Sequence, residues 1–286
     1  MWRGRGVWKQ NHDLVNEEET QAAEYLQEWH RRHPGATATV LAPLADASGR
    51  SSYDVLAEAI GQGGEPVLDL ACGDGHPLEL LGPGRSCLGT DRSAAELAAA
   101  RERLGHTAPL IRADAARLPL VTGQLGVVSC HYALMLLQPL EQVLAELARV
   151  LRPGGLLAAV LPSSSPREVA DPVSAYRSAW REVSETYPVE IPQIQDDRAL
   201  DPEELTTVLT DADFTSVSVQ PFSASKVVTV DEAVQSFFLT YLPDLLPPAG
   251  LTQLKRTLES KLAELAGGTG VVTYALHSDL VTAQRG

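Results

Sequence analysis

The stretch that most limits what this chain can become is EPVLDLACGDGHPLELL, residues 65–81. A short apolar run, Val67 to Leu70, carries Asp69 and passes at once into Ala71-Cys72-Gly73-Asp74-Gly75. A helix-like run, Leu78 to Leu81, follows. The pattern is a strand, a tight turn of small residues and a helix start. Such a turn lets a ligand approach the backbone where a Cβ would block it, and the free N–H groups of the next helix face the same spot. Residues 69–77 are therefore expected to floor a nucleotide or nucleoside site at the carboxyl end of a parallel strand, where open α/β sheets keep their ligands. The G-x-G-x-x-G of dinucleotide folds is missing after this strand, and no Gly-Lys-Ser/Thr marks a P-loop.

Alternating signals extend this unit. Strands are expected at 66–70, 86–90, 109–113, 125–130 and 156–161, with helices at 76–82, 93–104 and 139–151 between them. Leu140, Val143, Leu144, Leu147, Val150 and Leu151 form the apolar stripe of the last helix. Ser93 with Glu96 three residues on reads as a capping box. Before the first strand, helices are expected at 17–32, ended by Pro34-Gly35, and from Ser51 or Ser52 to Gly61, with a mixed loop over 36–50 and an irregular start over 1–16. After the fifth strand come helices at 166–187, 202–212 (Asp201 as N-cap, Pro202 first), 230–242 and 251–266, with strands at 215–220 and 270–276.

Composition narrows the partners. The 286 residues carry 37 acids against 23 bases, net −14, which argues against a nucleic-acid backbone or an anionic membrane surface and for a small molecule or a protein. Hydrophobic residues make up 44%, enough for a full core. Cys72, Cys87 and Cys130 show no metal or redox spacing and read as reduced core thiols of a cytoplasmic protein. No secretory signal and no membrane-length apolar run is seen.

The residues then add up to a resemblance. Asp-x-Ala-x-Gly-x-Gly from Asp69 to Gly75, "CLGTDRS" ending in the acid Asp91, "ADA" with "RLPL", and "LARVLRPGGLLAAVLP" occur in order. Together they are similar to the class I S-adenosylmethionine-dependent methyltransferases. The match covers about 65–162 closely, and 200–280 more loosely through "DPEELTTVLTDADFTSVSV" and 270–276. The resemblance implies a Rossmann-like, doubly wound, seven-stranded, mostly parallel α/β sheet whose last strand is antiparallel. It also implies an N-terminal helical lid over 1–61 and a methyltransferase domain over 62–286, with cap insertions near 163–200 and 222–268.

The same resemblance implies S-adenosyl-L-methionine as cofactor and assigns its wall. Asp69 would hold the turn or pair with the cofactor's amino group. Ala71, Cys72, Gly73 and Gly75 would make room for ribose and the methionine chain. Asp91, beside Arg92, would accept both ribose hydroxyls. Asp114 and the Ala115 N–H would hold adenine, and Cys130 and His131 would line the sulfonium. His131 is the candidate general base, or else a neutral wall of the pocket. His76, Tyr132, Met135, Tyr25 and Trp29 are candidates to line the acceptor pocket, and no metal is expected.

The expected activity is methyl transfer to an oxygen, nitrogen or carbon of a small molecule, possible in specialised metabolism, by a monomer or homodimer with room for a protein partner. Two alternatives keep the fold: a cyclase or elimination enzyme, and a non-catalytic partner subunit.

Overall fold

In the computed structural model of the chain, residues 21–82, 84–163 and 171–286 are described. The irregular start at 1–16, the first residues of the expected 17–32 helix and most of 166–171 lie outside them.

A seven-stranded sheet in the order β3-β2-β1-β4-β5-β7-β6 forms the centre. Its strands are β1 (Val67–Leu70), β2 (Cys87–Asp91), β3 (Leu110–Arg112), β4 (Leu125–His131), β5 (Leu151–Pro162), β6 (Phe214–Thr229) and β7 (Val271–Arg285). β7 runs antiparallel to both β5 and β6, and the remaining pairs are parallel. The chain reverses its winding between β1 and β4, so the open crevice of the sheet falls at the carboxyl ends of β1, β2 and β4. β1 and β4 are buried along their whole lengths, as strands covered on both faces must be.

The helices are α1 (21–32 among the described residues), α2 (Ala36–Leu41), α3 (Ser52–Ile60), α4 (His76–Leu81), α5 (Ala94–Leu104), α6 (Leu140–Val150), α7 (Pro172–Thr186), α8 (Pro202–Asp211), α9 (Val230–Phe238) and α10 (Pro248–Ala266). Local chemistry sets several of their starts. Ser51 and Asp54 form a capping box on α3. Asp201 caps α8 by accepting from the N–H groups of Glu203 and Glu204. The expected stripe of α6 is buried against the sheet.

Three elements differ from the sequence reading. The 36–50 loop contains α2, entered through Gly35 in the left-handed region at φ 72°. The last two strands are much longer than 215–220 and 270–276. Beyond the Pro162–Ser278 pair, where β5 ends, they continue together as a ribbon to Thr229–Val271. Residues 222–229, expected in a cap, are thus strand. That ribbon overhangs the carboxyl ends of the parallel strands. α7, α9 and α10 pack on it through Tyr176, Val183, Phe237, Leu254, Leu258 and Tyr274, which makes an apolar cluster separate from that of the sheet. The third difference is at Ser93: its hydroxyl accepts from Glu96 N–H, but the Glu96 carboxylate does not return to Ser93, so no capping box forms.

Candidate active site

The turn after β1 is held from beneath. Arg103 of α5 donates to Asp74 through Nη2 at 2.5 Å and to the Asp74 carbonyl through Nε at 3.1 Å. Ala71 (φ 52°), Gly73 (φ 51°) and Gly75 (φ 80°) all lie in the left-handed region, and a left-handed residue that is not glycine, such as Ala71, is a strain found mostly at functional sites.

The glycines divide in role. Gly73 borders the cleft, and a Cβ there would meet nothing nearer than Glu96 Oε2 at 3.8 Å. A Cβ on Gly75 would sit 2.8 Å from Leu104 Cδ1 and 3.2 Å from Ala100 Cβ. Gly75 therefore serves the packing of α4 on α5, and not the ligand approach assigned to it from the sequence.

Two cavities open along the carboxyl ends of the strands. The first, about 160 Å³, is bordered by Thr90, Asp91, Arg92, Ala113, Asp114 and Ala115. The second, about 70 Å³, is bordered by Tyr53, Cys72, Gly73, Asp74, His131 and Tyr132. His30, Ala71, Asp91, Ala133 and Leu136 wall both, so the two form one cleft.

Asp91 sits at the join. Its Oδ2 accepts from Gly73 N–H at 3.0 Å and its Oδ1 from Ser93 N–H at 2.7 Å. Burial raises its pKa, and these two backbone donors oppose that. Each oxygen keeps a further lone pair for a ligand hydroxyl. Asp114 Oδ1 accepts from Ala116 N–H at 3.0 Å, which fixes the loop that brings Asp114 and Ala115 to the first cavity.

Asp69 behaves differently. It is fully buried and borders neither cavity. Its Oδ1 accepts from Ser129 Oγ at 2.9 Å, while Oδ2 has no hydrogen-bond partner. Burial pushes its pKa up to about 7, with Ser129 opposing.

Several other expectations are corrected. Cys130 has no exposed surface and belongs to the sheet core, so it does not border the cleft. Met135 is likewise core. Tyr25 donates to the Tyr241 carbonyl at 2.5 Å and, like Trp29, borders neither cavity. Trp29, 2% exposed, packs on Tyr241 and His33 and docks α1. His33 Nε2 and Arg32 Nη1 reach Asp244 at 2.8 and 3.0 Å and complete that docking.

His131 does border the second cavity, but it lies stacked on Tyr53 with Nε2 2.9 Å from Ser52 Oγ. Burial, and then His76, lower its pKa to about 3. It is a neutral wall and not a poised base. His76 packs its edge on Tyr53 without bordering either cavity. Tyr132, left-handed at φ 52°, borders the second cavity and hydrogen-bonds to Ser278.

A third, larger cavity of about 490 Å³ lies in the cap. Val173, Tyr176, Ile191, Phe237, Tyr274 and Leu276 give it an apolar, ring-rich wall, and Arg177 and Asp197 stand among its polar residues. It shares Ile194 with the first cavity and Tyr241 with the second. The sequence offered no signal for it, because its wall is drawn from α7, the 191–197 segment, α9 and β7. Among the described residues no group of three or more His, Cys, Asp or Glu could hold a metal ion, and no helix is long and apolar enough to cross a membrane.

Residues 68–159 match a family model described as a methyltransferase domain. The trans-aconitate 2-methyltransferase of Paracidovorax citrulli is 33% identical over 123 residues, 42% of this chain and 47% of that protein. The demethylmenaquinone methyltransferase of Mycolicibacterium vanbaalenii is 38% identical over 94 residues, 32% of this chain and 40% of that one. The chain thus spans about half the length of the curated relatives it matches, or somewhat less. A solved structure from Bacillus halodurans superposes with a TM-score of 0.57 at 18% identity, over 82% of this chain and 98% of its own, and shares the fold.

Proposed function

We propose, from the match of residues 68–159 to a methyltransferase-domain model and from the cleft geometry, that this chain is a class I S-adenosylmethionine-dependent methyltransferase that transfers a methyl group to a small-molecule acceptor of specialised metabolism. The observation that carries the reading is Asp91. Its carboxylate is pinned by two backbone N–H groups at the join of the two cavities and still has lone pairs for two vicinal hydroxyls.

The residues fit an adenosyl group on both sides of that point. On one side, Asp114 would accept from an exocyclic amine and the Ala115 N–H would donate to a ring nitrogen, with Leu137 and Val143 as apolar walls of the same cavity. On the other, the left-handed turn at Ala71–Gly73 leaves space for an amino-acid chain. Bound there, the cofactor supplies a methyl group already activated by its sulfonium. The protein's part is to position the acceptor in line and to exclude water.

α1, α2 and α3, from residue 21 onward among the described residues, wall the cleft through Ala22, His30, Ala38 and Tyr53 and serve as its lid. The ring-walled cavity of the cap, within 163–200 and 222–268 and reaching β7, receives the acceptor. Tyr241 and Ile194, shared with the cleft, mark where the acceptor meets the donor.

Titration calorimetry with S-adenosylmethionine and S-adenosylhomocysteine tests the reading. Micromolar binding of both is expected, and no binding of either below millimolar concentration overturns it.

A further inference from the structure

Three side chains that the sequence reading left out of the site meet where the cavities join. His30 of α1 walls both cavities of the cleft. Its Nδ1 lies 2.8 Å from Glu96 Oε1. Glu96, 4% exposed, also accepts from Gly35 N–H through Oε2 at 2.9 Å. A carboxylate only accepts, so His30 Nδ1 carries the proton and Nε2 keeps its lone pair. Tyr241 Oη faces that nitrogen at 3.3 Å. Tyr241 is also the residue that the second cavity shares with the ring-walled chamber of the cap. A buried carboxylate thus orients an imidazole, and the imidazole faces a phenol on the acceptor's side. Nucleophile-activating sites use this order of parts.

We propose that Tyr241 and His30, positioned by Glu96, form the proton relay of the methyl transfer, and that the acceptor is a ring-bearing molecule presenting an O–H or N–H to Tyr241. The proposal rests on the methyl-transfer reading above. The acceptor's X–H bond breaks, and its electron pair becomes the bond to the methyl carbon. The pair of the broken sulfur–methyl bond stays on sulfur as a neutral thioether. The acceptor's proton goes to Tyr241 Oη as the phenol's own proton passes to His30 Nε2. Tyr241 ends neutral, and His30 ends as an imidazolium paired with Glu96.

The positive charge lost at sulfur therefore reappears on His30, next to the carboxylates that face it. Those are Glu96 of α5 and Asp91 at the end of β2; Tyr241 is the other titratable group against the ring. His131 has no equivalent arrangement, because its Nε2 is taken by Ser52 and its ring is stacked on Tyr53. An already ionised acceptor would have no use for a relay that ends at the ring-walled chamber.

The test is nitrogen NMR of the imidazole rings in the full chain, with and without S-adenosylhomocysteine. His30 is expected to carry a proton on Nδ1, facing Glu96. Glu96→Gln should move the Nδ1 resonance, because the ring loses its charged acceptor. Tyr241→Phe should move the Nε2 resonance and leave Nδ1 in place, and it decides the matter alone should Glu96→Gln fail to fold. An Nε2–H tautomer, or an Nε2 resonance indifferent to Tyr241→Phe, overturns the relay.

The acceptor class is read with 2-naphthol against 2-methoxynaphthalene, its blocked ether. Perturbation of His30 Nε2 by the naphthol alone supports a protic acceptor. Equal perturbation by both, or none by either, overturns it. Calorimetry of the same samples with S-adenosylhomocysteine reports on the methyl-transfer reading separately, because His30's tautomer does not depend on ligand.

Discussion

The imidazole of His131 lies flat against the ring of Tyr53, centroids 3.7 Å apart and planes 19° from parallel, with Ser52 Oγ at its Nε2. The fold thus holds this histidine uncharged, with a pKa near 3 set by burial. Asp69, one strand away, is displaced the other way, to about 7, also by burial.

The two groups give opposite pH dependences. A histidine whose folded pKa lies below its unfolded value of about 6.5 contributes stability above that value, and this is lost as pH falls toward 3. An acid whose folded pKa lies above its unfolded value of about 3.9 contributes stability at low pH, and this is lost as pH rises through 7. Asp69→Asn should remove the second effect alone and keep an acceptor for Ser129. Melting curves of the unliganded variant should therefore gain about 3 °C or more on wild type between mildly acidic and mildly alkaline buffer. Parallel curves across that range would contradict the burial argument.

Asp91 makes two backbone contacts and faces the cleft, so its removal acts on the ligand first. Asp91→Ala should weaken S-adenosylhomocysteine by about 100-fold, the loss of charge-assisted bonds to two hydroxyls. Asp91→Asn should fall between, because an amide supplies only one acceptor oxygen. Calorimetry that finds Asp91→Ala as tight as wild type would remove this carboxylate from the site.

The two turn glycines should separate by readout. Gly75→Ala drives a methyl into Leu104 and Ala100 at φ 80° and should cost about 1–3 kcal/mol of stability. Gly73→Ala meets only Glu96 Oε2, at 3.8 Å, so beyond the backbone cost of φ 51° it should register mainly as weaker S-adenosylhomocysteine binding. Denaturant titration and calorimetry of both variants check this. A Gly75→Ala protein as stable as wild type is the outcome that refutes the packing role.

Trp29 anchors α1 between Tyr241 and His33. Trp29→Ala should cost about 3–5 kcal/mol where the helix is docked. It should also expose Arg31 and Arg32 to trypsin well before the sheet domain is cut. Mass spectrometry of a limited digest reads the order of cleavage, and unchanged kinetics at those arginines would show that the anchor lies elsewhere.

The part of the site that could be read from the chain is the part made of local sequence. β1, its turn, Asp91 and Asp114 come from short strand-end patterns whose geometry is fixed within a few residues. Their positions agree with the structure. What was not legible depends on distant partners. Glu96 three residues after Ser93 looks like a cap, yet its carboxylate is engaged by His30, 66 residues earlier. Tyr241 meets His30 across 211 residues. Cys130, Met135 and Trp29 have side chains as suited to a pocket as to a core, and only tertiary packing assigned them to the interior. The long ribbon of β6 and β7 escaped because its outer residues, such as Ser223, Ser225, Lys226 and Thr273, are polar and weaken the strand signal.

That ribbon separates two kinds of inheritance. The cleft is walled mainly by the ends of β1 to β4 and by α1, whereas the chamber is walled by segments that hang from or face β6 and β7, and among the described residues only Tyr241 and Ile194 belong to both. On the proposed function, substitutions in the overhang would exchange one acceptor for another while the residues around Asp91 stay as they are.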